Sequence, residues 1–171
     1  MKKLALLAGL IMLFGFGFSQ TDTTKAGKTI PKVEIRDING NPFNTADIQN
    51  DGKPIIIDFW ATWCKPCVKE LMALDENYED WQDETGVKIY IVSIDDSRSM
   101  SRVAPFVNGK GWEFEVLLDP NQEFKRAMGV VDVPHTFLVD GKGNIILEHT
   151  AYAEGDEEEY YDKLIELIEN K

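Results

Sequence analysis

Between Pro54 and Glu70 the chain reads Pro-Ile-Ile-Ile-Asp-Phe-Trp-Ala-Thr-Trp-Cys-Lys-Pro-Cys-Val-Lys-Glu, and there the spacing of its apolar residues changes. Ile55, Ile56 and Ile57 form a continuous β-branched run behind Pro54, the pattern of a strand buried on both faces and therefore central in a sheet. From Lys65 the apolar positions fall at Cys67, Leu71, Leu74, Tyr78 and Trp81, one stripe of a helix. A buried strand thus runs straight into a helix, with Cys64 and Cys67 at the joint. Pro66 fits the first helical turn, where a missing N–H costs no hydrogen bond.

That position supplies chemistry. Unpaired N–H groups and the positive end of the helix dipole favour a thiolate at Cys64, while Cys67 lies one turn inside. Cys64 is expected to be the exposed nucleophile and Cys67 the buried sulfur, a pair suited to thiol-disulfide exchange through a mixed disulfide. Lys65 adds a positive charge nearby. Asp58 is a carboxylate among buried isoleucines, so desolvation should raise its pKa and suit it to carry a proton for Cys67. Glu70, on the first turns of the helix, can reach the same face. It is expected to keep contact with the dipole and with water and so a more ordinary pKa, leaving Asp58 the main relay and Glu70 an auxiliary. The two cysteines could instead be half of a zinc site, but only His135 and His149 remain as further histidine or cysteine ligands, at no recognisable spacing.

The segment Asp-Phe-Trp-Ala-Thr-Trp-Cys-Lys-Pro-Cys, the apolar strand before it and the Val133-Pro134 pair resemble the active site of the thioredoxin superfamily. The rest of the chain, from Pro31 to Lys171, is similar to its exported bacterial branch, the TlpA-like (ResA-like) thiol-disulfide oxidoreductases. The resemblance implies Cys64 as nucleophile, Cys67 as resolving cysteine and Pro134 as a cis-proline beside them, which leaves the Val133 backbone free to pair with an extended substrate chain. Asp58 matches the buried acid of thioredoxins proper, and Glu70 an active-site glutamate of the TlpA-like branch. Trp63, beside Cys64, is read as an apolar shield and part of the substrate surface. His135 stands where the family usually has threonine. It is read as a hydrogen-bonded strand histidine, the alternative being an imidazole that tunes the disulfide.

The resemblance implies a reductase of protein or peptide disulfides, with cytochrome c maturation as a candidate process, a membrane-borne electron donor and no cofactor beyond a redox-active Cys64–Cys67 disulfide. Rival readings are a thiol peroxidase of the same superfamily, which the placing of both cysteines in one C-x-x-C disfavours, and a non-catalytic client-binding module using the Val133-Pro134 surface.

Met1-Lys2-Lys3, the uncharged run Leu4 to Phe18 and the ending Gly17-Phe18-Ser19 read as a secretory signal peptide over 1–19, the alternative being a retained anchor. The protein is therefore expected to be exported and periplasmic. Residues 20–30 are a polar, aperiodic lead-in expected to be flexible, and 31–171 one domain. The formal charge of -12 becomes -14 once Lys2 and Lys3 leave with the signal. Such a surface repels nucleic acid and anionic membrane, and neither is expected as a partner; no metal is expected either. With only two cysteines, both in the motif, no structural disulfide supports the fold.

The chain opens with Val33 to Arg36 and the turn pair Asn39-Gly40, a hairpin with Phe43 on its returning arm. Val87 to Ile94 is a second buried strand, parallel to the first across a long crossover. Helix over Val103 to Val107, interrupted or begun at Pro105, strand over Phe114 to Leu118 and helix over Glu123 to Met128 form the segment that the resemblance marks as inserted. Thr136 to Asp140 and Ile145 to His149 form a hairpin. A last helix starts at Asp156 with Glu159 as a capping-box partner and carries Tyr160, Leu164, Leu167 and Ile168 on one stripe. The expected fold is α/β and thioredoxin-like, a central mixed sheet with helices on both faces.

Overall fold

A computed structural model describes residues 28–169. Its strands are β1 (Glu34–Asp37), β2 (Pro42–Asn44), β3 (Ile55–Trp60), β4 (Lys88–Ser93), β5 (Glu115–Leu118), β6 (His135–Val139) and β7 (Ile145–Thr150); its helices are α1 (Lys65–Thr85), α2 (Val103–Lys110), α3 (Glu123–Met128) and α4 (Asp156–Glu169). Single 3-10 turns lie at Thr45–Asp47 and Met100–Arg102.

The strands form one seven-stranded mixed sheet in the order β2-β1-β5-β4-β3-β6-β7. β3 pairs in parallel with β4, and β4 with β5, the arrangement that right-handed crossovers produce, while β6 returns antiparallel to β3. Every residue of β3 is buried, as its β-branched run requires. Moving each of its isoleucine side chains out of water is worth about 1.5–3 kcal/mol.

The pleat sorts side chains onto two faces. Asp58 pairs with Thr136 across β3 and β6, and these side chains meet Glu70 of α1 and Tyr160 of α4. On the same face Trp60 packs on Phe106 of α2 and on Trp112. Phe59 and Phe137 point the other way, and Phe59 packs on Phe124 of α3. Helices therefore cover both faces, three on one and the short α3 on the other.

β1 and β2 form the expected hairpin, with Ile38 to Asn41 as its loop. Asp37 organises that loop by accepting the Asn39 and Asn41 N–H groups, and Gly40 takes φ +85°. The segment expected to be inserted contributes more than an excursion, because β5 lies inside the sheet between β4 and β1. α2 begins at Val103, holds Pro105 in its first turn and ends at Gly111, φ +75°. At the start of α4, Asp156 is the first helical residue. Its carboxylate turns back to accept the Ala153 N–H and contacts His149, while Glu159 lies against His149, so these two acids hold the preceding strand instead of forming a capping box.

The expected signal peptide, 1–19, and most of the lead-in lie outside the described residues. The last of the lead-in runs along β7: the Ile145 N–H donates to the Lys28 carbonyl, and Thr29 bridges to Asn144. Among the described residues no helix is long and apolar enough to cross a membrane.

Candidate active site

Cys64 is the N-cap of α1, and Pro66 stands in the first turn, which carries no acidic side chain. The Cys67 N–H donates to Cys64 Sγ at 3.3 Å, so one of the helix's orphan donors is spent on the sulfur that the dipole already favours. The two cysteines are joined in a disulfide with Cα atoms 5.3 Å apart. Cys64 is 5% exposed and Cys67 not at all. The expected order of accessibility holds, but Cys64 lies under a small opening and does not stand free. Facing it, the Val133–Pro134 peptide bond is cis, and the Val133 carbonyl oxygen lies 3.7 Å from Cys64 Sγ.

Trp63 is no shield. It is 63% exposed, and Val131 is 76% exposed. Trp63 is next to Cys64 in the chain and Val131 comes two residues before Val133, so each puts an apolar side chain open to water in a segment of the site. Trp60 is fully buried in the core.

The loop that carries Trp63 is anchored by Asp95, a residue sequence reasoning passed over. Its buried carboxylate accepts the Thr62 N–H at 2.8 Å, the Thr62 hydroxyl at 2.7 Å and the Ser93 hydroxyl at 2.9 Å. An acid two residues beyond a buried strand carries no signal of this in the sequence, since its partner comes from the loop after β3.

A buried polar cluster joins β3, α1, β6 and α4. The Thr136 hydroxyl is 2.8 Å from Asp58 Oδ2 and 2.7 Å from Glu70 Oε1, and the Tyr160 hydroxyl donates to Glu70 Oε1 at 2.9 Å. Asp58 and Glu70 are both fully buried, and Asp58 Oδ1 and Glu70 Oε2 have no hydrogen-bond partner among the described residues. Burial, and then the Glu70 carboxylate, push the Asp58 carboxyl well above its ordinary range against the pull of the Thr136 hydrogen bond. Burial likewise raises Glu70 to about 7, opposed by the hydrogen bonds from Thr136 and Tyr160 and by His149. The ordinary, water-exposed Glu70 expected from the sequence is thus corrected. Three residues after Cys67 and four before Leu74, it sits inside the apolar stripe, and that spacing was the available signal. Thr136 gave none, because only the β3–β6 register brings it to Asp58.

His135 contacts Glu148 Oε1 through Nε2 at 3.1 Å and Thr150 Oγ1 through Nδ1 at 3.2 Å, the hydrogen-bonded strand histidine expected. Burial lowers its pKa against the Glu148 contact. His149 is engaged with Asp156 and Glu159. Among the described residues no group of three or more His, Cys, Asp or Glu side chains is placed to hold a metal ion.

A cysteine pair at the start of a helix, facing a cis-proline on this sheet, defines the class of thioredoxin-fold thiol-disulfide oxidoreductases. The chain belongs to the AhpC/TSA family, whose pattern matches residues 26–147, and within it to the ResA-like thioredoxin-fold proteins. It is 33% identical over 138 residues to thiol-disulfide oxidoreductase ResA of Bacillus thuringiensis (strain Al Hakam), a match spanning 81% of this chain and 76% of that one. Among solved structures it is similar to an uncharacterized thioredoxin-like protein from Porphyromonas gingivalis, with 50% identity, a TM-score of 0.75 and coverage of 82% and 92%. A putative thiol:disulfide interchange protein DsbE from Chlorobium tepidum, 24% identical, shares the fold with a TM-score of 0.68 and coverage of 81% and 94%.

Proposed function

We propose that this protein reduces disulfides in protein or peptide clients outside the cytoplasm. The observation that carries the reading is the Cys64–Cys67 disulfide, with its outer sulfur at the α1 N-terminus and 3.7 Å from the Val133 carbonyl. In the reduced protein the Cys64 thiolate attacks a client disulfide and expels one client sulfur. Cys67 then loses its proton to the buried acids and attacks Cys64 Sγ, which releases the second client thiol and closes the disulfide. Asp58 and Glu70 move that proton. An extended client pairs with the Val133 backbone and rests on Trp63, a mode in which main-chain contacts give affinity and a side-chain surface gives selectivity. No cofactor takes part. A membrane-borne donor returns the electrons, and cytochrome c maturation is a process that uses such a reductase.

The buried carboxyls support reduction over oxidation, because a negative charge beside the sulfurs opposes storage of a thiolate. The test is insulin reduction driven by dithiothreitol: the wild-type protein accelerates it, and Cys64→Ala abolishes the effect. Cys67→Ala accumulates a mixed disulfide with the client. A reduction potential near about -270 mV marks a reductant and one near about -120 mV an oxidant, which would reverse the assigned direction. Binding of a client without turnover would identify a binding module, and peroxide consumption without disulfide reduction a thiol peroxidase.

A further inference from the structure

We propose that Thr136 makes Asp58 and Glu70 a single proton store: its hydroxyl turns to whichever carboxyl is ionised, so that the pair holds one proton between them while the disulfide is closed. This role rests on the redox reading of Cys64 and Cys67 for its purpose, but not for its geometry.

A hydroxyl carries one hydrogen, yet Thr136 Oγ1 is within 2.8 Å of Asp58 Oδ2 and 2.7 Å of Glu70 Oε1. It can donate to one of them only, so the other contact needs a hydrogen from the carboxyl itself. Tyr160 donates to Glu70 Oε1, which marks that oxygen as an acceptor. The consistent arrangement has Asp58 Oδ2–H donating to Thr136, and Thr136 and Tyr160 both donating to an ionised Glu70. With both acids ionised, one short contact would set lone pair against lone pair. With both protonated, a hydrogen would have to sit on Glu70 Oε2 or Asp58 Oδ1, which are buried and have no partner. One proton is the count at which each contact has its hydrogen and no acid hydrogen is stranded.

A half-filled store works in both directions. During resolution the Cys67 S–H bond breaks and its proton goes to the ionised acid. The Cys67 Sγ–Cys64 Sγ bond forms, the bond from Cys64 to the client sulfur breaks, the client leaves as a thiolate, and loss of one proton from the pair to that thiolate or to solvent returns the store to one proton. In the reverse step the store returns a proton to Cys67. The other titratable groups facing the pair are His149 of β7, Tyr160 and Asp156 of α4 and Tyr152 in the loop before it. None of them touches both acids by a hydrogen bond, which singles out Thr136 as the positioning residue.

The test compares Thr136→Val, which removes the hydroxyl at nearly constant volume, with Thr136→Ser, which keeps it. Carbon-13 NMR of the Asp58 and Glu70 carboxyls in the oxidised protein reads the store directly. In the wild-type protein both carboxyls respond to a single first ionisation, and in Thr136→Val that ionisation moves up by about one pH unit or more because the anion has lost its donor. Release of a thionitrobenzoate leaving group from Cys64 should slow about 10- to 100-fold in Thr136→Val between about pH 6 and 8. Thr136→Ser should stay near the wild-type rate. Independent titration of the two carboxyls in the wild-type protein overturns the proposal without need of any variant, as does a Ser variant that behaves like Val. A wild-type protein with coupled carboxyls that fails to reduce insulin would instead refute the redox reading and leave the role of Thr136 standing.

Discussion

The Asp58–Glu70 pair binds protons in the folded protein at pH values where the same carboxyls of the unfolded chain have lost them. Between the ordinary carboxyl pKa and the raised folded values the folded state binds more protons, so this pair's contribution to stability falls as pH rises through that window. For Glu70, raised from 4.5 to about 7, the loss is on the order of 3 kcal/mol across the window. Glu70→Gln should therefore flatten the decline seen in the wild-type protein, and Asp58→Asn should leave the oxidised protein equally or more stable at pH 8. Urea unfolding of the three oxidised proteins from pH 5 to 8 measures both, and parallel pH curves would contradict the raised values. The cysteines differ at the same scale. With the disulfide reduced, brief iodoacetamide treatment and peptide mapping should find Cys64 alkylated at least about tenfold faster than Cys67, because only Cys64 has an opening to solvent and the helix N-terminus beside it.

At the scale of elements, the strand-to-helix joint was legible because β3 and α1 declare their periods within a few residues of each other, with only Ala61 to Cys64 between them. What was not legible depended on contacts between elements. Asp95 and Thr62 each lie two residues beyond the C-terminal end of their strand and meet only because β4 pairs in parallel with β3, and Thr136 meets Asp58 only through register. The exposure of Trp63 was not legible either, because a residue flanking the motif can turn inward or outward. Asp95→Ala removes the acceptor for the half-buried Thr62 and buried Ser93 donors and should cost about 2–4 kcal/mol in denaturant unfolding, with slower disulfide exchange at Cys64. The turn between β6 and β7 offers a second test. Gly143 takes φ +87° with open space around it, whereas a Cβ on Gly141 would stand 1.9 Å from the Gly52 carbonyl oxygen. Gly143→Ala should cost about 1 kcal/mol through backbone strain, and Gly141→Ala clearly more, because the Asp51-Gly52 turn must move. Thermal unfolding of the two variants decides the order.

For the whole molecule, the α/β class and the mixed sheet were readable from alternating strand and helix patterns, but the sheet order was not. Nothing local to Glu34–Asp37 announces that β1 lies against β5, since the pairing is antiparallel and distant in sequence. That junction is narrow. β1 meets β5 at only two residue pairs, Arg36 with Leu118 and Asp37 with Leu117, whereas β3 pairs six residues with β4 and five with β6. Backbone amides of β1 and β2 should accordingly exchange with deuterium well before those of β3 and β4. The place of β5 also sets an order on synthesis. As the chain leaves the ribosome the opening hairpin emerges first, yet its docking strand is made only after α1, β4 and α2. Until Leu118 is free, the hairpin has no sheet to join. The earliest-made strands are then seated only after β3, β4 and β5, and the growing chain carries an unpaired edge through most of its elongation.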